Sequence, residues 1–179
     1  MILSTHALVG AAIANMLPAH PGAAFALGFA SHFALDAIPH ADYPLRSASL
    51  DPKIGAPLRF DRALVQDVLT IGADGLAGLV FAFLLFASAE NQWAILLGAC
   101  GAMLPDAIQF LHARFPREPL RTLQRLHRRA HTKTEIKERV ALAIASQVLL
   151  VVAFSAVSMA AHGGRFFDAA SAAPALFSP

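Results

Sequence analysis

Two long apolar stretches constrain this chain more than any other feature of its sequence. Residues 63–88 and 92–112 contain few charged side chains, and a short polar turn around Glu90 joins them. Each stretch is long enough to cross the hydrocarbon core of a bilayer as a helix, which takes about 20 apolar residues. The whole chain agrees, since 56% of its residues are hydrophobic and only 15% are charged. We therefore expect an integral membrane protein built from helices.

Three further apolar segments complete the predicted bundle. Residues 3–17 and 23–38 are short for a full crossing, so they predict a helical hairpin that is tilted or reaches only part of the way through the bilayer. Residues 139–161 predict the last transmembrane helix. The sequence thus predicts an all-α, polytopic bundle of about five transmembrane segments in one membrane-embedded domain, residues 1–162, and a weakly ordered tail, residues 163–179.

The basic side chains predict the orientation of this bundle. Thirteen of the 14 Lys and Arg residues fall in two connecting segments, and short basic connections stay on the cytoplasmic side of a bacterial inner membrane. We therefore place the N-terminus in the cytoplasm and the C-terminus outside. The clustering is a topology signal, so we expect no nucleic-acid partner. The residues are Arg46, Lys53, Arg59 and Arg62 in one segment, and Arg114, Arg117, Arg121, Arg125, Arg128, Arg129, Lys133, Lys137 and Arg139 in the other.

The second basic segment, residues 113–138, has helical spacing between Leu120 and His131. Leucines on one face and arginines on the other predict an amphipathic helix at the membrane surface. Its arginines are candidates for binding anionic lipid headgroups. As an alternative, two histidines four residues apart on the same helix, His127 and His131, fold back over a site in the bundle. The candidate lipid-binding residues are Arg121, Arg125, Arg128 and Arg129.

The stretch Gly28 to His40 carries the strongest chemical signal. It places His32 and Asp36 four residues apart in an apolar run, so both lie on one face of a helix that Pro39 ends. An imidazole and a carboxylate are costly to bury unless something pairs with them. Either the two side chains hydrogen-bond each other, or both bind a cation.

An internal repeat extends this observation. Gly28 to Ile38 aligns with Gly98 to Ile108, so that Asp36 matches Asp106, and both copies share Asp-Ala-Ile. One segment earlier, the stretch that begins at His6 aligns with the one that begins at Asp74. The chain therefore resembles two copies of a helical hairpin, residues 3–38 and 63–112.

Four carboxylates thus lie in apolar segments that contain no Lys or Arg to neutralise them. One or two divalent metal ions would remove the cost of burying them, and the predicted ligands are His6, His32, Asp36, Asp74 and Asp106. Mixed imidazole and carboxylate ligands suit Zn, our first choice, or Mn or Fe(II). Further candidates are Asp67, as an alternative to Asp74, together with His40, His112, His127 and His131.

Three of these motifs resemble those of the YdjM-like family of inner-membrane, metal-dependent hydrolases. They are T-H-x-L-x-G at Thr5 to Gly10, G-x-x-S-H-x-x-L-D-x-x-P-H at Gly28 to His40, and L-P-D at Leu104 to Asp106. The stretch His127 to Thr132 is similar to the family's H-R-x-x-T-H-S but one residue shorter, and L-P-D follows the S-H-x-x-L-D element here instead of preceding it. The resemblance implies metal-dependent hydrolysis.

These observations predict a metal-dependent hydrolase that acts on a phosphoester or related bond of a membrane lipid at the cytoplasmic side. A carboxylate that is not fully committed to the metal can act as general base, and the candidates are Asp36, Asp74 and Asp106. The alternative is a carrier or sensor that binds a cation or proton through the same carboxylates. A third reading is a structural membrane protein with a buried polar network. The sequence contains neither a GxSxG element nor a P-loop, which argues against serine-hydrolase and nucleotide-driven mechanisms.

Overall fold

The protein is all-helical across the residues that its computed structural model describes, which are 1–43, 46–47, 61–132 and 140–161. This confirms the predicted all-α class. The second basic segment extends into residues 133–139, and the tail comprises residues 163–179, so these parts of the prediction lie outside the described residues. Six helices follow one another: α1 (Leu3–Asn15), α2 (Pro21–Asp36), α3 (Arg62–Phe86), α4 (Gln92–Arg114), α5 (Leu120–Ala130) and α6 (Val140–Ala161).

Three of these helices, α3, α4 and α6, are long and apolar enough to cross a membrane. In the apolar windows of α3 and α6 only 17% of the residues are buried within the protein. The exposed remainder includes large side chains such as Leu84 and Leu149, which are 69% and 68% exposed. Apolar surface of this extent needs lipid around it.

Helices α1 and α2 correct the expectation of about five membrane crossings. They contain 13 and 16 residues, so at 1.5 Å per residue they rise about 20 and 24 Å, less than the ~30 Å of a hydrocarbon core. Nine residues of α1 are buried, because α2, α3, α4 and α6 all pack around it. Helix α1 is therefore the central core helix of the bundle.

Glycines allow the helices to approach closely around α1 and α2. A Cβ atom at Gly10 or Gly28 would lie only 2.4 or 2.2 Å from the carbonyl oxygen of Gly98 on α4. A Cβ atom at Gly78 on α3 would lie 2.5 Å from the Cα atom of Ser4 on α1. Small residues at such crossings are the usual way in which membrane helices pack. The glycines that the repeat aligns, Gly10 with Gly78 and Gly28 with Gly98, are thus contact points between the two hairpins.

Helix α5 lies across the end of the bundle, in contact with α4 and α2. Its buried residues are Gln124 and His127, whereas Arg121, Arg125, Arg128 and Arg129 are exposed. The helix is amphipathic, as predicted, but its inward face carries a histidine into the bundle. This placement brings the second basic segment next to the ends of α2 and α4.

Candidate metal centre

Eight histidine and aspartate side chains meet near the start of α1, near the ends of α2 and α5, and in the second half of α4. We call this set the His/Asp cluster. It draws on all four of these helices, on the loop after α2 and on the residue after α5. Its members are His6, His32, Asp36, His40, Asp42, Asp106, His127 and His131.

Three members of the cluster have the spacing of metal ligands. The Nε2 atoms of His32 and His127 lie 3.1 and 3.0 Å from Oδ2 of Asp36 and 3.4 Å from each other. Two ligands bound tetrahedrally at 2.0–2.1 Å from a zinc ion would be about 3.3 Å apart. Oδ1 of Asp106 is the fourth atom of this group, 3.6 Å from His32 Nε2 and 3.8 Å from His127 Nε2.

A second group shares Asp36 and adds His40 and His131. The His40 Nε2 atom lies 3.8 Å from Oδ1 of Asp36. Asp42 contacts both histidines, with Oδ1 at 2.9 Å from His40 Nε2 and Oδ2 at 3.3 Å from His131 Nε2. The amino nitrogen of Met1 also lies here, 3.3 Å from Asp36 Oδ1 and 2.5 Å from Asp42 Oδ1.

Backbone carbonyls orient three of the histidine rings. The Nδ1 atom of His32 lies 2.8 Å from the Ala102 carbonyl oxygen, and those of His40 and His131 lie 2.7 and 3.2 Å from the carbonyl oxygens of Ile38 and Thr132. A carbonyl only accepts, so each Nδ1 carries the proton, and in the neutral ring Nε2 presents its lone pair to the cluster. This is the usual arrangement of metal-binding histidines.

The cluster leaves buried nitrogen atoms without hydrogen-bond partners. The side chains of His6, His32 and His40 are fully buried, and Asp36 is 1% exposed. Among the described residues neither ring nitrogen of His6 meets hydrogen-bond geometry, although Nε2 lies 3.2 Å from Asp36 Oδ1, and the same holds for His40 Nε2, which lies 2.9 Å from Asp42 Oδ1. Buried polar atoms of this kind are costly. A cation between the lone pairs and the carboxylates would remove the cost, so these residues fit a divalent metal ion.

Outside the membrane-spanning segments, the members of the cluster shift one another's protonation. Burial would raise the pKa of Asp42, but the His131 and His40 rings hold it well below its usual range. The hydrogen bond to Asp42 in turn raises the pKa of His131. Burial and the hydrogen bond to Asp74 raise the pKa of Tyr43. Asp42 is therefore anionic at neutral pH and Tyr43 keeps its proton.

The predicted ligands divide into those that the fold brings together and those that it does not. Of the five predicted ligands, His32, Asp36 and Asp106 share one group. His6 lies at its edge, with its ring stacked on His32 at 4.0 Å between ring centroids. Among the further candidates, His40, His127 and His131 also join the cluster.

Neither carboxylate of α3 is in the cluster. Asp74 accepts hydrogen bonds from the Ser4 backbone N–H, at 2.8 Å, and from the Tyr43 hydroxyl. Asp67 accepts from the backbone N–H groups of Arg46 and Ser47 at 2.9 and 2.8 Å and from the Ser47 hydroxyl at 2.7 Å. Backbone N–H groups and hydroxyl groups donate hydrogen bonds to both carboxylates. Asp67 and Asp74 therefore anchor neighbouring segments and do not join the candidate ligands. His112, partly buried near the end of α4, belongs to neither group of ligands among the described residues.

Sequence reasoning missed Asp42, which lies in the connection that follows α2. The loop turns back after Pro39 and carries Asp42 against His40 and His131. The available signal was the spacing itself, because Asp36, His40 and Asp42 follow one another closely around the residue that ends α2.

A cavity of about 90 Å³ borders the cluster. Asp106, Asp42 and His131 line its polar side, and Ile71 of α3 and Phe110 of α4 line its apolar side. The Asp106 side chain is 23% exposed, in contrast to Asp36. The cavity thus has a polar and an apolar side, and the cluster is accessible from it at Asp106 and at Asp42, which is 45% exposed.

Comparisons with protein-family models, with curated proteins and with solved structures give no match for this chain. The functional conclusion therefore depends on the geometry of the His/Asp cluster.

Proposed function

We propose that this protein is a membrane-embedded, metal-dependent hydrolase that cleaves a phosphoester or related bond of a lipid substrate. The observation that carries the proposal is the triangle of His32 Nε2, His127 Nε2 and Asp36 Oδ2, with sides of 3.0–3.4 Å, beside a more exposed Asp106. Three close protein ligands and an accessible further position are typical of catalytic metal sites. Zn suits this mixture of nitrogen and oxygen ligands best, with Mn or Fe as alternatives.

In this proposal His32, His127 and Asp36 hold the ion. When bound, a divalent metal activates water and stabilises negative charge on the oxygens of the bond that breaks. Asp106 lies farther from the two histidine nitrogens, at 3.6 and 3.8 Å, and borders the cavity. It can therefore take a proton from the attacking water as general base.

The hydrolytic step balances with these residues alone. The water oxygen forms a bond to phosphorus as the ester P–O bond breaks. One water proton goes to Asp106, which then gives this proton to the oxygen of the leaving alcohol. Asp74 has no part in this step, because the Ser4 N–H and the Tyr43 hydroxyl already occupy its carboxylate.

Two features support a lipid as the substrate. Ile71 and Phe110 give the cavity an apolar wall next to its polar end, which matches an acyl chain attached to a charged headgroup. The exposed arginines of α5 would attract an anionic headgroup. We place the site at the cytoplasmic leaflet of a bacterial inner membrane, as the positions of the basic segments predict.

The position of the cluster favours an enzyme over a carrier. Asp36 is the last residue of α2, and His6 lies in the first turn and a half of α1. Carriers place their binding sites near the middle of the bilayer, where access can alternate between the two sides. A site at one end of the bundle can exchange substrate with one leaflet only.

The substitution Asp106→Asn tests the proposal. We expect it to lower turnover of a phospholipid or lipid-phosphate substrate by about 10²–10⁴-fold, while the purified protein keeps its metal because His32, Asp36 and His127 remain. The assay uses a panel of phospholipids and lipid phosphates in mixed micelles with added Zn²⁺ or Mn²⁺. If wild-type protein with its metal bound cleaves none of the panel, or if Asp106→Asn keeps full turnover, the proposal as assigned fails.

A further inference from the structure

The two oxygen atoms of the Asp36 carboxylate face different sets of partners. Oδ2 faces His32 and His127 at 3.1 and 3.0 Å. Oδ1 faces His6 at 3.2 Å and His40 at 3.8 Å. A carboxylate that bridges two metal ions uses its oxygens in this way, with one oxygen for each ion.

The Oδ1 side contains its own ligand atoms. The His40 ring is fully buried, its Nδ1 is fixed by the Ile38 carbonyl, and its Nε2 has no hydrogen-bond partner. His131 presents Nε2 from the opposite side of Asp42, whose two oxygens reach both histidines at 2.9 and 3.3 Å. Together with Asp36 Oδ1 they form a set of two nitrogen and two oxygen donors.

A single ion cannot use all of these donors. A zinc-like ion takes four ligands, whereas six side chains of the His/Asp cluster divide into two groups that share Asp36. The amino nitrogen of Met1 lies 3.3 Å from Asp36 Oδ1 and 2.5 Å from Asp42 Oδ1. That amino group leaves His40 Nε2 without a partner, whereas a divalent ion would engage the histidines as well as the carboxylates.

We propose that the His/Asp cluster is a dinuclear metal centre in which Asp36 bridges two ions. His32 and His127 hold the first ion, with Asp106 beside it as the proposed general base, and His40, His131 and Asp42 hold the second. The role of the second ion rests on the function proposed above. Asp42, His131 and Asp106 all line the same cavity, so a phosphate group bound there would meet both ions, and two ions stabilise the attacking and the leaving oxygen together.

Metal stoichiometry tests the second position without any reference to activity. Tag-free, detergent-purified full-length protein is saturated with Zn²⁺, freed of excess metal and analysed for zinc per chain. We expect two ions in the wild-type protein, one in His131→Ala, one in His127→Ala, and fewer than one in Asp36→Asn. His131 is the preferred target because its side chain is 27% exposed, so its loss perturbs packing less than the loss of His40 would.

Two additions make the result decisive. His20→Ala removes an exposed histidine outside the cluster and should keep two ions, and protein loaded with Mn²⁺ should give the exchange-coupled paramagnetic resonance spectrum of two neighbouring ions, lost in His131→Ala. One ion per chain in the wild-type protein, or an unchanged count and spectrum in His131→Ala, would overturn the dinuclear centre. Two ions with no turnover would leave the centre intact and instead count against the hydrolase.

Discussion

The two ends of α1 carry two buried polar clusters. They differ in whether the buried polar atoms have hydrogen-bond partners. At the end of the helix, Asn15 donates to the Ser158 hydroxyl at 3.0 Å and accepts from the Asn91 amide at 2.9 Å. The Asn91 amide also donates to the Phe86 carbonyl at 2.9 Å. Every donor there meets an acceptor, and the network joins α1 to α4 and α6. We call it the Asn15 network.

At the start of α1, in contrast, several histidine ring nitrogens surround the Asp36 carboxylate, and those of His6 lack hydrogen-bond geometry. The Nε2 atom of His32 lies 3.1 Å from a carboxylate oxygen of Asp36, and His6, nine residues before Asn15, has two buried nitrogens without hydrogen-bond geometry among the described residues. A satisfied polar network stabilises a membrane protein and needs nothing further. An unsatisfied one marks a place with the capacity to bind something else, and the residues of the His/Asp cluster could hold a cation.

The substitution Asp36→Asn should have the largest effect on the His/Asp cluster. The change keeps the shape of the side chain but removes the charge that both groups of ligands share, so metal affinity and any hydrolytic turnover should fall by orders of magnitude. Asp67→Asn is the matched control, because Asp67 is a buried carboxylate whose hydrogen-bond donors among the described residues are backbone N–H and hydroxyl groups. We expect the control to keep its metal in elemental analysis, and an Asp36→Asn protein with full metal content would contradict our reading of the His/Asp cluster.

Removal of metal should lower the free energy of unfolding, because the His/Asp cluster at the start of α1 would lose its ion. An ion that binds the native protein stabilises it by about 2.7 kcal/mol when its free concentration is a hundred times the Kd. Thermal unfolding in detergent should therefore shift to a lower temperature when a chelator is added to the wild-type protein. The Asp36→Asn protein should show no such shift, and a wild-type protein indifferent to chelator would count against a bound ion.

The converse change, Asn15→Ala, breaks the satisfied network. It leaves the Ser158 hydroxyl and one Asn91 N–H without their partner, which costs about 1–3 kcal/mol of stability. Metal content should stay unchanged, since the substitution lies at the far end of α1. Leu149→Ala, on the exposed face of α6, serves as the control and should change stability by about 0.5 kcal/mol or less. Loss of metal in Asn15→Ala would mean that the two ends are not independent.

The smallest effect concerns the arginines of α5. The double substitution Arg125→Ala with Arg128→Ala should weaken binding to anionic vesicles by roughly fivefold or less for each arginine. Arg125 already pairs with Glu118 at 3.2 Å, which reduces its contribution to the binding of anionic lipid. Vesicles of neutral lipid provide the control, and metal content should not change. Equal loss of binding to neutral vesicles would exclude an electrostatic role.

Local spacing was enough to predict part of the site. His32 and Asp36 are four residues apart on one helix, so their proximity follows from helix geometry alone. Asp106 entered through the repeat, which aligns it with Asp36, and the two aspartates do belong to one group of ligands. The close glycine contacts between α1, α2 and α4 explain why aligned positions meet.

The other ligands depend on long-range packing that no local pattern encodes. The repeat aligns Asp74 with His6, yet α3 presents Asp74 to Ser4 and Tyr43, so equivalent positions in the two copies have different partners. His127 reaches the cluster because α5 lies across the bundle. Hydrophobic spacing alone did not predict this packing, because the inward face of α5 is partly polar. The position of Asp42 depends on the path of the loop after α2, which the sequence pattern does not specify.

The most direct measurement is an anomalous-scattering map from crystals of the full-length protein grown with Zn²⁺. Our account predicts a peak enclosed by the Nε2 atoms of His32 and His127 and Oδ2 of Asp36, at about 2.0–2.2 Å from each. It predicts that this peak is absent in Asp36→Asn crystals grown in the same way. A map without a peak at this position, or with zinc bound only at exposed histidines such as His20, would contradict the metal centre on which the account depends.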